Sequence, residues 1–218
     1  MKGLLIKDLK LMKLQKMFFL TLLAISIGMT FLGKDSSFSL GFLSFVFPMF
    51  TLSTVSYDEF DNGNAFLFSL PITRTMYVKE KYLFSVLLCI GSSALALLLT
   101  CVGSFFKAVS MKPVEILITA AAVLSVTLLI QALTLPFLLK YGGEKGRLAL
   151  FGAVGFIVVI IFLSTKAAEF FKINTQLFEE WISSLNGVVL FGVSILLVAF
   201  LFLLSMRISI SIMKKKEF

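Results

Sequence analysis

The sequence predicts an all-α membrane protein with six transmembrane helices. Three observations carry that expectation. Mean hydropathy is +1.02 over 218 residues, and charged residues make up only 15%, against about a quarter in a soluble domain. The charges fall in short patches, separated by uncharged stretches of 17 to 26 residues, and about 20 apolar residues cross the hydrocarbon core. Lys and Arg are also distributed unevenly between successive patches. The whole chain, 1–218, reads as one transmembrane domain.

The elements follow in order. Residues 1–16 hold Lys2, Lys7, Lys10, Lys13 and Lys16 among Leu4, Leu5, Ile6, Leu9, Leu11 and Met12. An N-terminal interfacial helix on an anionic leaflet fits this pattern. Leu4, Leu5, Leu11 and Met12 share one sector, into which Asp8 and Gln15 intrude. The first span runs over about 17–33. No A-x-A-like site closes it, so it is expected to stay as an anchor. The second covers about 39–56, and Pro48 should kink it. A polar loop, 57–81, follows, with seven charged residues between Tyr57 and Tyr82. The third span is about 82–105. The fourth is about 114–139, with Pro113 suited to its first turn and Pro136 inside it. A short polar loop, 140–147, leads into a fifth span, 148–164. Residues 165–186 mix charges with Phe170, Phe171, Phe178 and Trp181, and read as an amphipathic helix outside the membrane. The sixth span is about 187–206, and the end is basic, with Lys214, Lys215 and Lys216.

Six spans put both termini on one side. That side then carries fifteen of the Lys and Arg residues and the other five. The positive-inside rule places the termini and the 57–81 and 140–147 loops in the cytoplasm. The net charge of +8 is thereby explained by orientation, and no nucleic-acid partner is expected.

Much chemistry is excluded. There is no His, which removes the commonest general base and metal ligand. No metal and no catalytic residue is expected. Cys89 and Cys101 lie in one apolar segment, are not a C-x-x-C pair, and read as packing residues. No span carries a charge near its middle, as ion-driven transporters usually do. There is no phosphate loop: Gly142, Gly143 and Gly146 lack the following Lys-Ser/Thr and any preceding strand. The polar groups Gln131 and Asn186 could form interhelical hydrogen bonds or line a substrate path.

One stretch carries a recognisable pattern: Glu59, then Leu70-Pro71-Ile72-Thr73-Arg74, then Tyr77-Val78 followed by Lys81-Tyr82. It resembles the acidic residue, LP-x-x-R and YV-x-x-K-Y of the first cytoplasmic loop in ABC-2 type transporter permeases. The six-span layout is similar over the whole chain. Within that family the chain looks most like the small permeases of Gram-positive peptide exporters, such as the phenol-soluble modulin exporter. The resemblance implies a permease subunit that binds no cofactor of its own. ATP and Mg would sit on separate ABC ATPase subunits, and a second permease copy or paralogue would complete the path for a peptide or other amphipathic cargo. It also implies that the 57–81 loop docks on the ATPase, through Glu59, Phe66, Phe68, Leu70, Pro71 and Arg74, with Gly142, Gly143 and Glu144 of the second loop beside them.

The residues suggest how that loop would be built. Asp58, Glu59 and Asp61 favour the N-terminus of a short helix. Phe66, Phe68 and Leu70 then form an apolar cluster in aqueous surroundings, which marks a contact surface. Thr73 or Pro71 starts a second helix that runs through Arg74, Tyr77 and Lys81 into span three. Two other readings fit the scaffold: a non-transporting immunity or sensor protein, and a lipid-modifying enzyme that recruits Glu59, Asp61 and Arg74.

Overall fold

The structure is a computed structural model that describes residues 1–32, 38–60, 63–107, 113–143 and 187–216, with isolated positions between 145 and 166. All its regular elements among these residues are helices: α1 (Lys2–Leu14), α2 (Lys16–Leu32), α3 (Phe38–Val46), α4 (Phe50–Glu59), α5 (Gly63–Ser69), α6 (Arg74–Lys107), α7 (Pro113–Tyr141) and α8 (Gly187–Lys215). Apart from those isolated positions, the expected fifth span and the 165–186 segment lie outside the described residues.

Four stretches are long and apolar enough to cross a membrane: Phe38–Glu59, Arg74–Phe106, Val114–Tyr141 and Gly192–Lys215. The α1–α2 pair passes the same test as a bent unit, with an angle of 65° at the break. The described residues thus supply four or five crossings. Pro48 acts as expected: the second span breaks into α3 and α4 around residues 47–49, where proline cannot donate the helical hydrogen bond. Pro136, by contrast, lies inside an unbroken α7. The 34 residues of α6 extend about 51 Å, well beyond a hydrocarbon core of about 30 Å.

Hydrogen bonds fix the helix directions. The Ser39 and Thr100 hydroxyls meet at 2.8 Å, and the Lys81 ammonium donates to Thr54 at 3.1 Å, so α3–α4 and α6 are antiparallel. Ser205 donates to the Ala132 carbonyl, and Lys216 donates to the Leu139 carbonyl at 3.1 Å. The α7 and α8 helices therefore run parallel.

Two apolar clusters hold the bundle. One joins α2, α3, α6 and α7 through Phe19, Leu40, Leu43, Phe84, Leu88 and Ile116. Phe19 meets Phe47 and Phe50 edge-on at 5.0 and 5.1 Å, the arrangement that aromatic quadrupoles favour. The other lies at the charge-rich end and gathers Leu4, Val55, Leu67, Tyr77, Val78, Leu138 and Met213. It unites α1, α4, α5, α6, α7 and α8. Elsewhere large side chains such as Leu98, Ile118, Leu196 and Phe200 point outward, as lipid-facing positions do. Cys89 is a buried free thiol, as a packing residue would be, whereas Cys101 is an exposed one. Between helices, hydroxyls act as polar links: Tyr82 meets Ser205 at 2.6 Å and Ser209 at 2.8 Å.

Such links contribute about 0.6 kcal/mol each on average in membrane proteins. Tyr82→Phe should lower the unfolding midpoint in detergent by an amount equivalent to about 1 kcal/mol. Leu98→Ala, at a lipid-facing position, should shift it far less when both are followed by thermal denaturation.

Candidate functional site

The polar stretch 57–81 folds in three parts. Its first residues end α4, its middle forms α5, and its last part opens α6. The expected second helix is present: Thr73 accepts the Met76 N–H at 3.2 Å, an N-cap at the third helical position. The expected first helix differs. It begins at Gly63, so Asp58 and Glu59 stand at the C-terminus of α4. A helix C-terminus carries the negative end of the dipole and disfavours carboxylates. Both side chains are accordingly met by cations.

Asp58 belongs to a buried charge cluster. The Lys81 ammonium donates to Asp8 at 2.5 Å and to Thr54 at 3.1 Å, and lies 2.8 Å from Asp58. An ammonium has three donors, and all three are thereby used. Lys7 donates to the other Asp58 oxygen and lies 3.2 Å from Asp8. The Tyr77 hydroxyl donates to Asp58 at 3.1 Å. Asp8 and Lys81 are fully buried. Two ammoniums thus face two carboxylates, and together they join α1, α4 and α6. Glu80 is buried beside them, and neither of its carboxylate oxygens meets a donor among the described residues. The Gln15 amide adds a second α1–α4 link, donating to the Tyr57 hydroxyl at 2.6 Å.

Glu59 belongs to a second assembly, a clasp. One carboxylate oxygen accepts the Gly143 N–H at 2.6 Å, and the other accepts the Lys216 ammonium at 2.9 Å. Arg74, at the far root of α5, donates to the Lys214 carbonyl at 2.8 Å and to Met213 at 3.3 Å. These are end carbonyls of α8, which lack helical partners.

The two glycines are required by space. Gly142 has φ +83°, a left-handed cap on α7, and a Cβ there would lie 2.8 Å from Glu59. A Cβ on Gly143 would lie 2.6 Å from the Ser56 hydroxyl and 2.9 Å from its Cβ.

The structure therefore divides the residues expected to dock a partner. Glu59, Gly142, Gly143 and Arg74 face inward and hold the helix ends together. Phe68 is half-buried and packs edge-on against Tyr77 at 5.7 Å. That splits the expected apolar cluster, because α5 buries Leu67 and turns Phe66 and Leu70 outward, at 72% and 43% exposure. Pro71 is exposed beside them. Gln131 lies elsewhere, buried in α7, with its amide oxygen unpartnered among the described residues. Glu144 and Asn186 lie outside the described residues. The buried cluster itself was not expected. Its signals were Asp8, the sole acid in a run of five Lys, and Glu80-Lys81 against the start of an apolar run.

Comparison with known families accounts for the layout. Residues 3–214 match the family described as ABC-2 family transporter protein. The chain belongs to the ABC-2 transporter family. No curated protein and no solved structure matches it. As a membrane component of that family, it is a permease subunit of an ABC transporter, associated with an ABC ATPase and the membrane.

Three substitutions test the site. Lys81→Met leaves buried Asp8 and Asp58 with the partly exposed Lys7 as their remaining cation among the described residues, and should cost about 3–5 kcal/mol by chemical or thermal denaturation. Glu80→Gln removes a charge that no donor meets, and stability should stay within about 1 kcal/mol of the parent or rise. Gly143→Ala should destabilise by about 1–3 kcal/mol through overpacking, with part of the loss recovered when Ser56→Gly opens the space.

Proposed function

We propose that the chain is the permease half of an exporter and that α5 is its docking tip for the ATPase. The observation that carries this reading is the division of the 57–81 stretch. Its roots, Glu59 and Arg74, are tied to helix ends, while Phe66, Leu70 and Pro71 face outward. An exposed apolar tip on a held loop marks an interaction site. A load applied at α5 would pass into α6, which continues the loop as one helix of 34 residues. The match over residues 3–214 supplies the class of partner.

The parallel course of α7 and α8 supports six crossings. An odd number of crossings must lie between two parallel spans, and 148–164 is the apolar stretch available. With both termini then on one side, the excess of Lys and Arg argues for a cytoplasmic α5, in a bacterial plasma membrane. A second copy or paralogue would complete the path. The broad apolar faces of α7 and α8 suit such a partner, and they suit an amphipathic cargo such as a peptide. Gln131, with an unpartnered buried amide oxygen, and Asn186 are the polar groups offered for contacts along it. ATP and Mg would be held by the partner ATPase, and this chain would hold neither.

Expression with the ATPase of the same transporter and purification through a tag on this chain tests the reading. The ATPase should co-purify, and Phe66→Asp with Leu70→Asp should release it while the helical signal and unfolding midpoint persist. Retention of the full ATPase complement by that double variant would sink the docking role of α5. Phe68→Asp should differ, lowering stability itself, because that ring packs on Tyr77.

A further inference from the structure

The three lysines that end α8 look like a simple topological signal. The last of them is placed otherwise. Lys216 donates to Glu59 at 2.9 Å and to the Leu139 carbonyl at 3.1 Å. One ammonium thereby bridges the end of α4 and the end of α7, from a position just past α8. Arg74 reaches the same turn of α8 from the other root of the loop. Both roots of α5 are thus fastened to one turn of α8, and Lys216 fastens the Glu59 root to α7 as well.

We propose that Lys216 is a positioning residue that makes the ends of α7 and α8 follow the α5 loop when the loop is driven. This inference rests on the docking reading above. The bridge that one ammonium makes between Glu59 and the Leu139 carbonyl supports it. Arg74 binds backbone carbonyls of α8, so that tie does not involve the Lys216 side chain. The tie from α4 to α7 has two strands, the Gly143 N–H and the Lys216 ammonium, and both end on one carboxylate. Removing the ammonium leaves Glu59 at a helix C-terminus, where the dipole disfavours it, held to α7 by a single backbone donor. Motion at α5 would still enter α6 through the continuous helix. It would enter α7 only through the Gly143 bond and the shared apolar cluster, and so be weakened there. The direct contact with the ATPase is untouched, since Lys216 lies on the inward side of the clasp. The tail therefore acts on coupling and not on docking.

The experiment uses the full chain assembled with its ATPase, with Cys101→Ser to clear the exposed thiol. Spin labels are placed on Ser69→Cys in α5 and on Tyr141→Cys in α7, each paired with a reference label on Leu14→Cys in α1. Distances are measured without nucleotide and with ATP plus vanadate. In the parent, both labels should shift with nucleotide. In Lys216→Gln, co-purified ATPase and the α5 shift should persist, the α7 shift should fall to less than half, and the unfolding midpoint should stay within a few degrees. Lys216→Arg, which keeps the cation, should restore the α7 shift. A Lys216→Gln chain that keeps half or more of the α7 shift overturns the proposal while leaving the docking reading intact. A parent chain that retains no ATPase overturns the docking reading and this inference with it. The same fall of the α7 shift in Lys216→Arg would show that the cation is not the link, and also overturns it.

Discussion

The ammonium of Lys81 is the point on which the charged end of the bundle is assembled. Buried ions carry a desolvation penalty of several kcal/mol each, offset only where geometry is good and every donor is met. Here every donor is met, by Asp8, Asp58 and Thr54. Each of those acceptors comes from α1 or α4, and the ammonium from α6. The three helices cannot slide past one another without stranding a charge. Apolar packing tolerates small shifts in register, whereas this cluster admits one arrangement. The Glu59 clasp then extends the same fixed frame to α7 and α8.

This frame divides the molecule into a stiff end and a more open body. At the charged end, six helices share one apolar cluster beneath the ion pairs. The spans themselves differ in cover: 61% of the α3–α4 span is buried, against 17% for α8. The α8 helix is thus secured at its end and largely uncovered along its length. A helix so held can pivot about the clasp, and its uncovered face is free to meet lipid or another subunit. Stiffness sits where force would enter, and adaptable surface sits where the membrane and the cargo would be.

Much of this was legible in the sequence, for identifiable reasons. Span length and charge spacing are one-dimensional properties, so the helices fall close to their expected places. Pro48 and Thr73 act locally, through a missing donor and a side-chain cap, and both behave as their chemistry requires. What was not legible depends on pairing across distance. Asp8 looks like a flaw in an apolar sector, because its partner is 73 residues away. Asp58 and Glu59 suggest a helix start by the dipole argument, and the structure puts them at a helix end because cations from α1, α6 and the tail compensate them. Phe66 and Phe68 are alike in sequence, and only the helical turn of α5 decides which one faces Tyr77. The Gly142-Gly143 pair reads only as part of a short polar loop, yet both positions are fixed by the close approach of Glu59 and Ser56.

The span between Asp8 and Lys81 also sets an order of assembly. Asp8 is made before both of its partners, since Asp58 comes 50 positions later and Lys81 another 23. Until α6 has been synthesised and inserted, α1 has no cation from the bundle to receive its carboxylate, and it can only rest on the membrane surface by its lysines. Docking of α1 is therefore a late event that reports whether α4 and α6 have found each other. A chain arrested before that step would leave α1 undocked, with Asp8 not yet met by Lys81.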